Sequence, residues 1–164
     1  MAARKKKVTK KAAKRRVPRP AAKRKKPAVR PKRREPESLR LRETVVSLVV
    51  NDLARSLAWY RDVLGWTVTG EWRDDKGKLN GVEMIAGEVG LYLSQDDGKK
   101  GWDRRKGEGM RIFWRTAQSV DRIAERIKKA GGVLDHEPMD EPWGERDFGI
   151  TDPDGFRITI SNVP

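Results

Sequence analysis

The chain has 164 residues, with 38 Lys and Arg, 24 Asp and Glu, no Cys and a formal net charge of +14. Without Cys there is no disulfide framework, thiolate nucleophile, iron–sulfur cluster or Cys-type zinc site. No apolar run approaches the ~18–20 residues of a membrane helix, and the basic start never reaches the apolar stretch of a signal peptide, so a cytoplasmic protein with no membrane partner is expected.

The charge is unevenly divided. Residues 1–40 hold 19 Lys and Arg and two acids, Glu35 and Glu37, for +17; from Leu41 onward 19 Lys and Arg meet 22 acids, for −3. Two parts are expected: a basic arm over 1–40 and a folded body over 41–164. The arm is built from Lys, Arg, Ala and Pro, and Pro18, Pro20, Pro27, Pro31 and Pro36 interrupt any helix. Its apolar side chains are too few and small to offset chain entropy, so the arm is expected to be disordered. Lys5, Lys6, Lys7, Lys10, Lys11, Lys14, Arg15, Arg16, Lys23, Arg24, Lys25, Lys26, Lys32, Arg33 and Arg34 are its candidate nucleic-acid contacts. Each phosphate they neutralise releases a counterion, which gives non-specific, salt-dependent DNA or RNA binding and would allow nucleoid association. The arm has no aromatic residue with which to stack bases.

In the body, the β-branched run ETVVSLVVN predicts a strand over 43–51. Asp52 stands as an N-cap, Leu53, Leu57, Tyr60 and Leu64 follow at helical spacing, and Gly65 closes a helix over 53–64. Strands are expected at 66–73, 80–86 and 89–94, followed by a polar, Gly-rich loop over 95–109. The order then repeats. RIFWRT predicts a strand over 111–116, Val120, Ile123, Ile127 and Ala130 mark a second helix ended by Gly131 and Gly132, and strands follow at 133–138, 145–151 and 156–161. The last two are joined by DPDG, where Pro presets φ and Gly supplies a positive φ. The fold class is α+β, with two βαβββ modules. Each carries a helix outside its sheet, and together the sheets are expected to form a concave mixed sheet around a shared hollow.

The stretch SLVVNDLARSLAWYRDVLGW resembles the opening of the vicinal oxygen chelate superfamily, which groups glyoxalase I, bleomycin resistance proteins and extradiol dioxygenases. DPDGFRITI resembles its closing hairpin, and PWGERDFGITDPDG the matching stretch of bleomycin resistance proteins. The resemblance covers nearly all of 43–161. It implies, for catalytic members, a divalent ion held by side chains on the first, fourth, fifth and eighth strands. Those positions fall here on Val45, Tyr92, Ile112 or a neighbour between Arg111 and Trp114, and Thr159. None is a usual ligand for a catalytic divalent ion, so no metal or other cofactor is expected. The single histidine, His136, falls outside the metal positions and reads as a surface residue.

If the family's strand registers carry over, Val45, Ser47, Tyr92, Ser94, Thr159 and Ser161 face the hollow with Ile112 and Trp114 beside them, while Leu48, Leu91, Leu93, Ile158 and Ile160 face the helices. Trp72, Trp143 and Phe148 are candidate aromatic walls. That set suits a small organic ligand better than an ion. With one His and no nucleophile elbow, a hydrolytic triad has no support. The expectation is a metal-free binding protein of bleomycin-resistance type that pairs as a homodimer, although a body at −3 offers little acidic surface for a cationic drug. Two alternatives stand beside it: an enzyme with an atypical or absent metal site, and a nucleic-acid-associated protein whose body dimerises or senses.

Overall fold

The β-branched run at the start of the body forms β1 (Val45–Val50) in the computed structural model, which describes residues 43–163; the expected basic arm lies outside the described residues. Asp52 caps the next element, its side chain accepting from the Arg55 amide at 3.0 Å. The helix α1 (Leu53–Ala58) widens into a π-helical turn over Trp59–Val63, where the Leu64 amide reaches back to the Trp59 carbonyl at 3.3 Å. The apolar spacing predicts the helix but does not distinguish a wide turn from an α turn. β2 (Thr67–Arg73), β3 (Leu79–Ala86) and β4 (Val89–Gln95) complete the first module. The second repeats it as β5 (Arg111–Thr116), α2 (Val120–Lys129), β6 (Leu134–Asp140), β7 (Arg146–Thr151) and β8 (Arg157–Asn162). Ser119 caps α2 by accepting from the Arg122 amide.

Each module is a four-stranded mixed sheet, ordered β1-β4-β3-β2 and β5-β8-β7-β6. β1 runs parallel to β4 and β5 to β8, and the remaining neighbours are antiparallel. Each helix packs on its own sheet. The helix-bearing faces share one hydrophobic cluster that includes Leu48, Val50, Tyr60, Val82, Met84, Leu91, Leu93, Ile127, Phe148, Ile150 and Ile158. Each such buried side chain contributes about 1.5–3 kcal/mol relative to exposure.

Polar bonds knit the modules together at the DPDG turn. Asp154 accepts from the Asn51 amide at 2.7 Å and the Ser56 hydroxyl at 2.9 Å, both at the start of α1. Tyr60, fully buried, donates its hydroxyl to Asp152 at 3.0 Å. Burial, then the neighbouring Asp152 carboxylate, pushes the Tyr60 phenol far above its ordinary range. Burial likewise raises Asp152, against the pull of hydrogen bonds from Phe156, Tyr60 and Asp154. Arg126 of α2 donates to the Leu64 carbonyl at 3.2 Å, and the Trp66 and Trp114 rings meet at 4.9 Å between centroids.

The expected pair of βαβββ modules is present, each with its own four-stranded mixed sheet and a helix packed on it. The sheet faces opposite the shared core are partly open: Val49, Trp72, Ile85, Phe113 and Met139 are all at least 40% exposed, while Asp147, Thr159 and Ser161 on the second sheet are buried.

Candidate ligand-binding site

Strand alternation decides what the open faces carry. On the first sheet, Leu48, Leu91 and Leu93 turn into the core, which leaves Val45, Ser47 and Val49 of β1 beside Tyr92 and Ser94 of β4 on the other side. Ser47 is in register with Tyr92, and Val49 with Ser94. Trp72 of β2 joins this face, 47% exposed, meeting Tyr92 edge-to-face at 5.4 Å between centroids. Gly81 of β3 lies opposite both Trp72 and Ser94. A Cβ there would fall 3.0 Å from the indole, so the missing side chain lets Trp72 lie close over the sheet. The structure thus brings five of the sequence candidates together: Val45, Ser47, Trp72, Tyr92 and Ser94.

The second sheet corrects three assignments. Ile112 and Trp114 are in register with Ile158 and Ile160, so they face the core rather than the hollow, and Ile112 is 6% exposed. Phe148, in register with Ile160 and fully buried, is also core and not an aromatic wall. Trp143 stands apart on the tight turn between β6 and β7, 64% exposed, where the Glu141 amide donates to the Glu145 carbonyl. Thr159 lies on the face away from the core, with Phe113 as its register partner on β5, but it is buried, 2% exposed.

That face also carries charged residues the sequence reading had not assigned to it. Arg111, Phe113 and Arg115 of β5 stand against Arg157, Thr159 and Ser161 of β8. Glu145, nearly buried, accepts from Arg115 at 2.7 Å and from the Ser161 hydroxyl at 3.0 Å. Arg111 donates to the Thr159 hydroxyl at 3.3 Å. Asp147, 3% exposed, lies in register with Ser161, and His136 Nε2 is 3.9 Å from its Oδ1. His136 sits over Gly149, where a Cβ would fall 2.8 Å from the ring. The signal for this face was present in RIFWRT: Arg111 and Arg115 fall in one phase and Ile112 and Trp114 in the other, and the phase without charge is the one to bury.

The loop between β4 and β5 is anchored by a buried carboxylate. Asp96 accepts from Lys106 and from Arg104, and Lys106 also donates to the Val49 carbonyl at 2.9 Å. The Lys106 and Arg104 contacts hold the Asp96 carboxyl well below the usual carboxylate range. The same loop borders a depression of about 510 Å³ whose walls include Trp102, Arg105, Glu108, Asp154 and Arg157. A second depression, of about 400 Å³, lies along α2 beside Ser119 and Arg122.

Residues 43–160 match the model of the Glyoxalase/Bleomycin resistance protein/Dioxygenase superfamily. The chain belongs to that superfamily. Solved structures similar to it include TioX from Micromonospora sp. ML1, at TM-score 0.61 and 19% identity, covering 74% of this chain and 98% of that one. A superfamily member from Sphaerobacter thermophilus DSM 20745 aligns at TM-score 0.62 and 19% identity, over 75% of this chain and 98% of its own. A glyoxalase-related enzyme from Clostridium phytofermentans aligns at TM-score 0.58 and 20% identity, over 77% and 98%. At these identities the likeness is one of fold. No protein of curated function matches.

The metal set of catalytic superfamily members does not fit the side chains present. β1 offers Val45, β4 Tyr92 and β8 Thr159. On β5 the register selects Phe113 as the residue on the open face, since Ile112 is buried in the core. Val and Phe have no lone pair to donate, and the Thr159 hydroxyl already accepts from Arg111. Among the described residues no three His, Cys, Asp or Glu side chains come together as a metal-holding group.

Proposed function

We propose that this superfamily member is a small-molecule-binding protein of the bleomycin-resistance type, which works without the family's metal set and pairs as a homodimer to enclose its ligand. The observation that carries the reading is the Trp72–Tyr92 pair, half-exposed on an open sheet face flanked by Val45, Val49 and Ser47. Large aromatic side chains left open on a sheet face supply contact area for an organic molecule. The second sheet leaves Phe113 and Met139 similarly open, so pairing two chains face to face would cover apolar surface on both. Saturable quenching of Trp fluorescence by an aromatic ligand, lost in Trp72→Ala, tests the binding. A flat response across a broad library would count against it. Sedimentation equilibrium tests the pairing, with Val49→Arg expected to shift a dimer to monomer. Stoichiometric metal after native purification, or lactoylglutathione formation that depends on added Ni²⁺ or Zn²⁺, would replace this reading with the enzymatic one.

A second reading, compatible with the first, rests on the +17 charge of residues 1–40. The arm binds DNA or RNA through phosphate contacts, and a dimer presenting two arms gains avidity. Deleting residues 1–40 is expected to abolish a salt-sensitive gel shift; an unchanged shift in the truncated protein would refute it.

A further inference from the structure

Five arginines of the described body lie on strands. Three stand against carboxylates: Arg73 on Glu71, Arg115 on Glu145, and Arg146 on Asp121 and Asp140. The other two, Arg111 and Arg157, meet no carboxylate at salt-bridge distance among the described residues, and they are register partners on the parallel strands β5 and β8. Like charges side by side across a strand pair are destabilising. Both side chains point away from the core, into the open face, and both residues are exposed. The next pair along the same face is Phe113 opposite Thr159. Phe113 is 43% exposed, with the Arg115 guanidinium 5.5 Å from its ring centroid, and the Thr159 hydroxyl accepts from Arg111. A doubled positive charge is thus followed, one strand repeat of about 7 Å further on, by a half-exposed aromatic ring with the Arg115 guanidinium over one face. Arg157 also lines the 510 Å³ depression, whose walls mix Arg104, Arg105 and Lys106 with Asp103, Glu108 and Asp154.

We infer that the ligand is an aromatic acid, its oxyanion held between Arg111 and Arg157 and its ring lying on Phe113. This rests on the reading of the open faces as a ligand site and adds to it the charge and shape of what binds. Guanidinium groups hold oxyanions through charge-assisted, often bidentate hydrogen bonds, and a bound anion removes the repulsion between the two arginines.

The test uses the full chain and two probes that differ in one group, naphthoate and its neutral amide, titrated by calorimetry and by NMR. Naphthoate is expected to bind roughly tenfold more tightly than naphthamide, the advantage of a charged over a neutral hydrogen-bonding partner. That advantage should shrink as salt is raised. Arg111→Gln and Arg157→Gln should each reduce it about threefold, and the double variant should bring the ratio close to one. The basic arm attracts naphthoate equally in every variant, so the change between variants reports the pair alone. Equal affinity for the two probes in the wild type, or a preference that survives in the double variant, overturns the assignment. Binding of neither probe overturns the ligand-site reading itself. Thermal unfolding of the Gln variants is expected to be unchanged or raised, since repulsion is relieved. A loss of several degrees would make the pair structural and would also overturn the assignment.

Discussion

Replacing Tyr60 by Phe removes one oxygen from the centre of the junction between the modules. The ring volume is kept, so no cavity opens, and the effect falls on Asp152, 4% exposed, which loses the donor 3.0 Å from its Oδ2. A hydrogen bond to a charged group contributes about 1.5–3 kcal/mol, and leaving the buried acceptor short of a partner places the cost within that range. For a body of this size, ~2 kcal/mol corresponds to a fall in Tm of roughly 6–10 °C, measurable by calorimetry or circular dichroism. The cost should also depend on pH. Because the folded-state pKa of Asp152 is raised, the folded chain binds the extra proton between the unfolded and folded values, and stability falls as pH rises through that window. Tyr60→Phe removes a bond that favours the carboxylate, which raises the folded value further and widens the window. The gap between wild type and variant should therefore be largest near neutral pH and narrow as pH falls into the carboxylate range. A double-mutant cycle with Asp152→Asn should show coupling of ~1–2 kcal/mol. A Tm change under 2 °C, a gap independent of pH, or additive single effects would refute this account of the junction.

Phe148→Ala should cost about 3–5 kcal/mol in urea unfolding, since the ring is fully buried; Trp72→Ala, at a half-exposed position, should leave the midpoint nearly unchanged while removing ligand-induced quenching. Gly81→Ala would press a methyl against the Trp72 indole and the Leu93 carbonyl, each 3.0 Å from the new Cβ, so Trp72 fluorescence should shift and stability fall by about 1–3 kcal/mol. Asp52→Ala removes the N-cap of α1 and should cost about 1 kcal/mol, with recovery in Asp52→Asn; an unchanged midpoint would rule out the cap as a contributor.

The elements were legible because their ends are chemically marked. Asp52 and Ser119 cap where a short polar acceptor precedes an apolar periodic run, and DPDG turns the last hairpin. The faces of β1, β4 and β8 also followed from the register taken over by resemblance. β5 did not, because each phase of RIFWRT offers an aromatic, Phe113 in one and Trp114 in the other, and a slip of one residue moves every side chain to the opposite face. Counting charges settles the choice: the phase that buries Ile112 and Trp114 leaves Arg111 and Arg115 in water. The burial of Glu145 depends on Arg115 and Ser161, partners that no local pattern encodes, and the π-helical turn is a local widening that apolar spacing does not separate from an α turn.

The alternation of β1, β4, β5 and β8 separates two demands that many binding sites must reconcile. Residues that keep the chain folded and the candidate ligand contacts occupy neighbouring positions on the same strands but opposite sides of the sheet. Under the proposed reading, a change at Ser47, Tyr92 or Phe113 alters which molecule is welcomed while Leu48, Leu91 and Ile112 go on packing as before. Such a scaffold can diversify its chemistry quickly, and relatives sharing about one residue in five can retain its shape.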